Sequence, residues 1–228
     1  MKQDPYYKYL TAIILTGLAL ALTPPVHAKE RVKSHAGTYT TSDGKSGTLQ
    51  GTTTRSQGQV DRSGSITNQD GQTVTRESTR TFDKAAGTSA ATSTTTGPNG
   101  KTSTVATTST KNADGTIATT GTRTGFNGKT ETLAATTTVT DTGLVTTGTI
   151  TGPNGKTATV ASTVTKGPDG ILKDTTVTGP NGKTAERDLA TTKNADGSIT
   201  RTIQLTKPDG STSTRTETIV PVPAPARP

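Results

Sequence analysis

Residues 152–178 read GPNGKTATVASTVTKGPDGILKDTTVT, and this stretch decides the fold because copies of it recur along the chain. It holds two turn signals, Asn154-Gly155 and Asp169-Gly170, and both dipeptides tolerate the backbone angles that tight reversals need. Between the turns the less polar residues fall on every second position, at Ala158, Val160, Ser162 and Val164. This alternation is typical of a strand, so the unit predicts two antiparallel strands joined by tight turns.

The repeat has a period of about 27 residues, and its copies follow one another with only small slips in spacing. We therefore predict an all-β fold, a repetitive antiparallel β-hairpin meander that forms an extended sheet of about 13 strands. The array spans 41–220, with units that start near residues 41, 68, 97, 125, 152, 179 and 207.

The composition leaves two alternatives to this fold open. Only 26% of the residues are hydrophobic, so few side chains are available to offset the conformational entropy that folding removes. A flattened β-solenoid and a largely disordered chain are the alternatives to the extended sheet. The tight hairpin signals disfavour the solenoid, which needs stacked parallel strands.

The first 28 residues have the three parts of a signal peptide. Lys2 and Lys8 give a weakly basic start, and the apolar run Leu10–Leu22 is too short to span a bilayer as a helix. Val26-His27-Ala28 ends in the small residues that signal peptidases accept, so we expect cleavage after Ala28. The mature protein is then secreted, extracellular or on the cell surface, or alternatively periplasmic, with no transmembrane segment.

The two ends of the mature chain differ from the array. Residues 29–40, KERVKSHAGTYT, are expected to form a short basic leader. We expect residues 221–228 to form a Pro-rich tail outside the sheet, because proline lacks the N–H that a strand ladder needs.

Catalysis finds no support in the sequence. Cysteine is absent, and the two histidines are His27, in the signal peptide, and His35, in the leader. Neither histidine lies in a sequence context that supplies a nucleophile or a metal site. We therefore expect a protein that is not an enzyme and that has no cofactor, no metal and no small-molecule substrate.

One lysine follows each Asn-Gly turn directly, at Lys101, Lys129, Lys156 and Lys183. In a meander these turns share one edge of the sheet, so the lysines form a comb with a spacing of about 10 Å. Such a comb can bind polyanions such as extracellular DNA or acidic polysaccharide through a salt-sensitive attraction. The competing interpretation is that these lysines keep the turns soluble and prevent aggregation.

The leading functional hypothesis is an exported structural repeat protein of the cell surface or extracellular matrix, acting in adhesion or biofilm and self-associating through its strand edges. The alternative is a periplasmic or secreted module that binds polyanions with the lysine comb. Two lower alternatives remain, a disordered Thr-rich spacer and an ice-binding surface. The second rests on ranks of Thr-x-Thr that resemble ice-binding β-solenoids, at Thr102/Thr104, Thr130/Thr132, Thr157/Thr159 and Thr212/Thr214/Thr216/Thr218.

Overall fold

The computed structural model describes residues 30–222. The predicted signal peptide, its cleavage position at Ala28 and most of the Pro-rich tail lie outside the described residues. Within 30–222 the regular structure consists of fourteen β-strands joined by tight turns. In chain order they are β1 Arg31–Thr41, β2 Ser46–Ser56, β3 Gln59–Asn68, β4 Thr73–Asp83, β5 Thr88–Thr96, β6 Thr102–Lys111, β7 Ile117–Thr124, β8 Thr130–Thr140, β9 Gly143–Thr151, β10 Thr157–Gly167, β11 Gly170–Thr178, β12 Thr184–Lys193, β13 Ile199–Thr206 and β14 Thr212–Val222.

The predicted antiparallel meander is confirmed: each strand pairs antiparallel with the strands before and after it. The Asn-Gly turns are longer than a two-residue reversal, because three residues lie between the pair that closes each turn. In residues 97–101 the Gly100 N–H donates to the carbonyl of Gly97 at 3.0 Å, and the Gly97 N–H donates to the carbonyl of Lys101 at 2.9 Å. Pro98 suits the second position of such a turn, and Gly100 supplies the positive φ of 73° that follows it.

The meander does not end as the extended sheet that the sequence analysis expects. β1 pairs antiparallel with β14, from Ser34 opposite Val222 to Thr41 opposite Arg215, and this pairing closes the sheet into a barrel. The physical reason is that the twist of a long antiparallel sheet brings its two edges together, and closure satisfies backbone groups that an open sheet leaves unpaired.

The segment that closes the barrel is the one the sequence analysis places outside the array. Residues 31–40, expected to be a basic leader, form almost all of β1, and β14 continues through Pro221 to Val222. Proline is tolerated at the end of a strand, where a missing N–H costs little. The structure therefore holds one strand more than the thirteen or so expected.

The register fixes the proportions of the barrel. When the direct pairing is traced from a residue of β1 around all fourteen strands, it returns to β1 about 16 residues from the starting residue. The strands therefore tilt strongly against the barrel axis. In a circular barrel of this strand number and stagger the backbone wall would lie roughly 13 Å from the axis.

The two faces of the wall differ sharply. Directly paired residues point to the same side, and the buried strand residues fall on one side throughout, which is the barrel interior. The interior apolar cluster is small: Ile150, Ala158, Val160 and Val177, with Leu133 packed against it. Elsewhere buried hydroxyls pair across strands, as Thr137 with Thr146 at 2.8 Å and Ser162 with Thr175 at 2.9 Å. The barrel thus combines continuous backbone pairing with satisfied interior hydroxyls instead of a large apolar core.

Candidate polyanion-binding surfaces

The meander gathers alternate turns at opposite ends of the barrel. The turns that follow the odd-numbered strands lie at one end, and this end holds all four of the lysines singled out in the sequence, Lys101, Lys129, Lys156 and Lys183. All four are exposed. We call this end the lysine rim. Because these four turns are successive and two strand widths apart, neighbouring lysines are separated by roughly 10 Å along the rim.

The asparagine before each of these lysines orders the turn. The Oδ1 atom of Asn99 accepts a hydrogen bond from the Lys101 N–H at 3.2 Å, and Asn127 holds Lys129 in the same way at 3.1 Å. The same contact recurs at Asn154 and Asn181. The backbone on which each lysine stands is therefore fixed in the same manner at each of the four positions.

The three other turns at this rim each carry an acid, Asp43, Asp70 or Asp209. Lys45 forms an ion pair with Asp43 at 2.7 Å, and this bond, with one from Thr41, lowers the pKa of Asp43 to about 2. Lys207 is followed by Asp209 in the same turn. By contrast, the four turns that carry the singled-out lysines contain no acidic residue. The positive charge of the rim is therefore concentrated along this arc.

The opposite end, which we call the far rim, is more acidic. Its turns carry Asp114, Asp141, Asp169 and Asp196. In two of them the aspartate serves the turn itself: Asp114 accepts from the Thr116 N–H at 2.9 Å and Asp196 from the Ser198 N–H at 2.9 Å. Hydrogen bonds from the following hydroxyl, and then from the N–H, lower the pKa of both carboxyls.

The interior of the barrel is strongly cationic, which the sequence analysis did not anticipate. Every lysine and arginine that lies within a strand of residues 30–222 has inward register. Among the strand acids of the same residues, only Glu131 and Glu217 share that register. The sequence already indicates this arrangement, because these cations fall on the same alternate strand positions as the less polar residues. It was overlooked because basic side chains are normally assigned to the solvent face.

Both inward carboxylates are engaged by arginines. Glu131 pairs with Arg123 on the neighbouring strand at 3.1 Å. Glu217 is contacted by Arg201 at 3.3 Å and by Arg215 at 3.0 Å. Arg123 and Glu217 are buried. A carboxylate shielded from water offsets the cost of burying the guanidinium beside it, so these pairs account for the arginines of β7, β13 and β14.

The inward cations of β2, β3 and β4 have no such carboxylate on their own strands. They are Arg55, Arg62, Arg76 and Arg80, which we call the lumen cluster. Burial first, and then the charge of Arg62, lowers the pKa of Arg76 and of Arg80. Arg62 reaches solvent but is partly desolvated by the wall, and this desolvation, followed by the charge of Arg55, lowers its pKa. The four guanidiniums therefore affect one another electrostatically.

Lys173 on β11 lies in a second cationic region. It is buried, and that burial, reinforced by the charge of Arg187, lowers its pKa to about 8. Burial, and then the charge of Arg201, also lowers the pKa of Arg187, whereas the charge of Glu217 raises it. This region differs from the lumen cluster because Glu217 contributes negative charge nearby.

The outer face of the wall is covered mainly by threonine. The Thr-x-Thr ranks of the sequence analysis all have outward register, as Thr102 and Thr104 on β6 show beside buried Ser103. Closure bends this face around the barrel. The threonines therefore do not form the flat array that the ice-binding hypothesis requires.

His35, which the sequence analysis placed in the leader, lies on the inward face of β1 over Gly51, where an added Cβ would come within 2.7 Å of its ring. Residues 30–222 contain no group of three or more histidine or acidic side chains placed to hold a metal ion.

The comparisons with known proteins are negative: the chain matches no protein-family model, no curated protein and no solved structure. Within residues 30–222 no helix is long and apolar enough to cross a membrane. The class of the protein is therefore stated by its architecture alone, a closed antiparallel barrel of fourteen strands built from a hairpin repeat.

Proposed function

We propose that this chain is an exported, non-catalytic binding protein that holds polyanions, such as extracellular DNA or acidic polysaccharide, at the lysine rim. The observation that carries the proposal is the arc of Lys101, Lys129, Lys156 and Lys183, each on an identically built turn and none with an acid in its own turn. A row of lysines at regular spacing attracts a charged polymer without reading its sequence.

The test is a rim variant in which all four lysines are replaced by glutamine. We expect it to elute from heparin and from DNA resins at clearly lower salt than the wild type, because fewer counterions are released on binding. The matched control replaces four lysines at or near the far rim, Lys84, Lys111, Lys166 and Lys193, and removes the same charge. If both variants lose retention equally, the rim is not the site and net charge alone explains binding.

Export is tested separately from binding. The proposal requires that the protein recovered outside the cytoplasm begin at Lys29, after cleavage at Ala28. Intact-mass measurement of the purified native protein reads this directly. Recovery of the uncleaved chain from the cytoplasm would contradict the proposed localisation at the surface, outside the cell or in the periplasm.

A second candidate function is structural, with copies assembling in a surface layer or matrix. Barrel closure pairs β1 with β14, so edge-to-edge addition of strands no longer supports self-association. A different observation favours the structural role: the exposed large apolar residues, apart from Val74, lie on strand segments at or near the far rim. They are Val32, Val139, Val145, Ile171, Leu172, Val220 and Val222.

This candidate predicts assembly through the far rim, with a second copy as the partner. Leu172 is 55% exposed, so Leu172→Glu should not disturb folding yet should shift sedimentation of the assembled protein toward the monomer. Thr149→Glu, on an outward position near the lysine rim, is the control. A wild type that sediments as a monomer at all concentrations would exclude this structural role.

A further inference from the structure

We propose that the lumen cluster is a binding site for a multiply charged oxyanion, a phosphate or sulfate group that enters the barrel. This site is separate from the lysine rim and does not depend on the function proposed for the rim. It would take small anions, or the end of a chain that bears such groups, whereas the rim would bind the outside of a polymer.

The register places Arg62 at the centre of the cluster. Its partner on β4 is Ser78, and the inward residues before and after Ser78 on that strand are Arg76 and Arg80. Its partner on β2 is Thr53, and Arg55 is the next inward residue of that strand. Diagonal neighbours in an antiparallel sheet are about 7–8 Å apart at the backbone, a span that arginine side chains can bridge. Arg62 can therefore share one ligand with arginines of both neighbouring strands.

The cluster faces no carboxylate of its own part of the wall. The acids of β3 and β4 next to it in sequence, Asp61 and Glu77, have outward register, and Asp61 accepts from Gln59 at 2.7 Å and from Thr79 at 2.8 Å. Glu131 and Glu217, the inward acids of residues 30–222, are engaged by arginines of β7, β13 and β14. The positive charge of β2, β3 and β4 is thus not neutralised by an acid on these strands.

Neutral hydroxyl groups position two of the arginines. Arg76 donates from Nε to the Oγ atom of Ser93 at 2.9 Å, and Arg80 donates from an Nη atom to the Oγ atom of Ser89 at 3.1 Å. Arg80 also lies over the ring of Phe82, 4.8 Å from its centre. The hydroxyl of Ser93 orients the guanidinium of Arg76 without cancelling its charge, which is how an anion site is prepared before its ligand arrives.

Access and chemistry both fit an oxyanion. Arg55 and Arg62 are exposed, and Arg76 is half-buried, so the cluster opens to solvent inside the barrel. The planar guanidinium offers paired N–H donors whose spacing matches two oxygens of a phosphate or sulfate group. An anion bound between them would reduce the mutual repulsion of the four cations and would offset the cost of desolvating half-buried Arg76 and buried Arg80.

Calorimetric titration of the purified protein with pyrophosphate tests the site. We expect saturable binding to the wild type, with affinity at least tenfold weaker in Arg62→Gln, and an anion-dependent rise in Tm that this variant loses. Without anion the variant should unfold at the same temperature or higher, because one repelling charge is gone. Arg62→Lys keeps the charge but not the paired donors, and should bind with intermediate affinity.

The four-lysine rim variant separates this site from the proposed function. It should bind pyrophosphate as the wild type does, and Arg62→Gln should still be retained by DNA resin. A sulfated disaccharide tested in parallel shows whether a sugar-borne sulfate or a free phosphate is preferred. The proposal is overturned if the wild type does not bind either anion, or if Arg62→Gln and Arg62→Lys both bind as the wild type does.

Discussion

The guanidinium of Arg215 lies over the ring of Tyr39, with its Cζ atom 4.0 Å from the ring centre, and so joins the last strand of the barrel to the first. The same arginine contacts Glu217 at 3.0 Å, which Arg201 of β13 also reaches. Tyr39 is buried and lies against Gly47 of β2, where a Cβ would come within 2.6 Å of the ring. One aromatic ring thus connects the strands on both sides of the closing seam.

Removal of that ring should weaken closure. We expect Tyr39→Ala to lower the free energy of unfolding by about 3–5 kcal/mol, the range for deletion of a buried aromatic side chain. Tyr39→Phe keeps the ring and its contact with Arg215, and should cost much less. Urea unfolding followed by far-ultraviolet circular dichroism measures both. Equal stability of the two variants would show that the ring does not hold the seam.

The seam also depends on a close backbone approach at Gly37. A Cβ at this position would clash with the carbonyl oxygen of Thr218, so the strands must separate to admit alanine. We expect Gly37→Ala to destabilise the barrel by about 1–3 kcal/mol. Thr38→Ala, on the exposed outward position beside it, is the control and should change the free energy of unfolding by less than about 1 kcal/mol.

Burial of Lys173 predicts a stability that rises with pH. Its folded pKa of about 8 lies below the usual 10.5, so between these values the unfolded chain binds the proton more tightly than the folded one. The free energy of unfolding should therefore increase as the pH rises through this window. Below pH 8 the buried charge, with Arg187 and Lys166 nearby, opposes folding by up to about 3 kcal/mol.

Lys173→Met tests this assignment. It should be more stable than the wild type at pH 7, and the difference should shrink toward pH 10 as the native amine loses its proton. Urea titrations at several pH values measure both effects. Lys111→Met, at an exposed inward lysine, should show neither effect, and a variant less stable than the wild type at pH 7 would contradict the prediction.

Three turn aspartates predict a second rise of stability with pH, in the acid range. Hydrogen bonds from the following hydroxyl and N–H lower the pKa of Asp114, Asp196 and Asp209 below 3.8. Their stabilising effect is therefore present above about pH 4 and is lost as the pH falls through the folded pKa. The triple replacement by alanine should lower the Tm at pH 7 by a few degrees, and its difference from the wild type should narrow at pH 3.

Replacement of the same three residues by asparagine supplies the control for that experiment. Asparagine keeps the acceptor oxygen, so most of the stability at pH 7 should remain, but it has no carboxyl to titrate. Thermal unfolding of both triple variants between pH 2.5 and pH 7 separates the hydrogen bond from the charge. A wild type whose Tm falls no further at low pH than that of the asparagine variant would rule out the aspartate effect.

The local structure was accessible from the sequence because its determinants are local. Gly100 takes the positive φ that an Asn-Gly turn requires, and Asn99 caps the turn through its side chain. The alternation of Ala158, Val160 and Ser162 places three buried residues on one face, as a period of two requires. The common end of the four singled-out lysines follows from the same antiparallel connectivity.

The lumen cluster could not be derived in the same way. Parity alone shows that Arg62, Arg76 and Arg80 share a face with the less polar residues, but not whether that face is enclosed. Arg62 and Ser78 are neighbours only because β3 and β4 pair in one particular register. Charge patterns are normally read as solvent-facing, so an enclosed cationic face contradicts the usual expectation.

The sequence by itself determined the hairpins, the turn geometry and the division of each strand into two faces, since turn residues and alternation act over a few positions. Only the tertiary structure decided that Arg31–Thr41 is a strand, that β1 pairs with β14, and that the basic face becomes the interior. Closure depends on twist and stagger accumulated over fourteen strands and on a contact between the two ends of the array. No stretch of a few residues carries that information, which explains why the repeat predicted an open sheet and the chain forms a barrel.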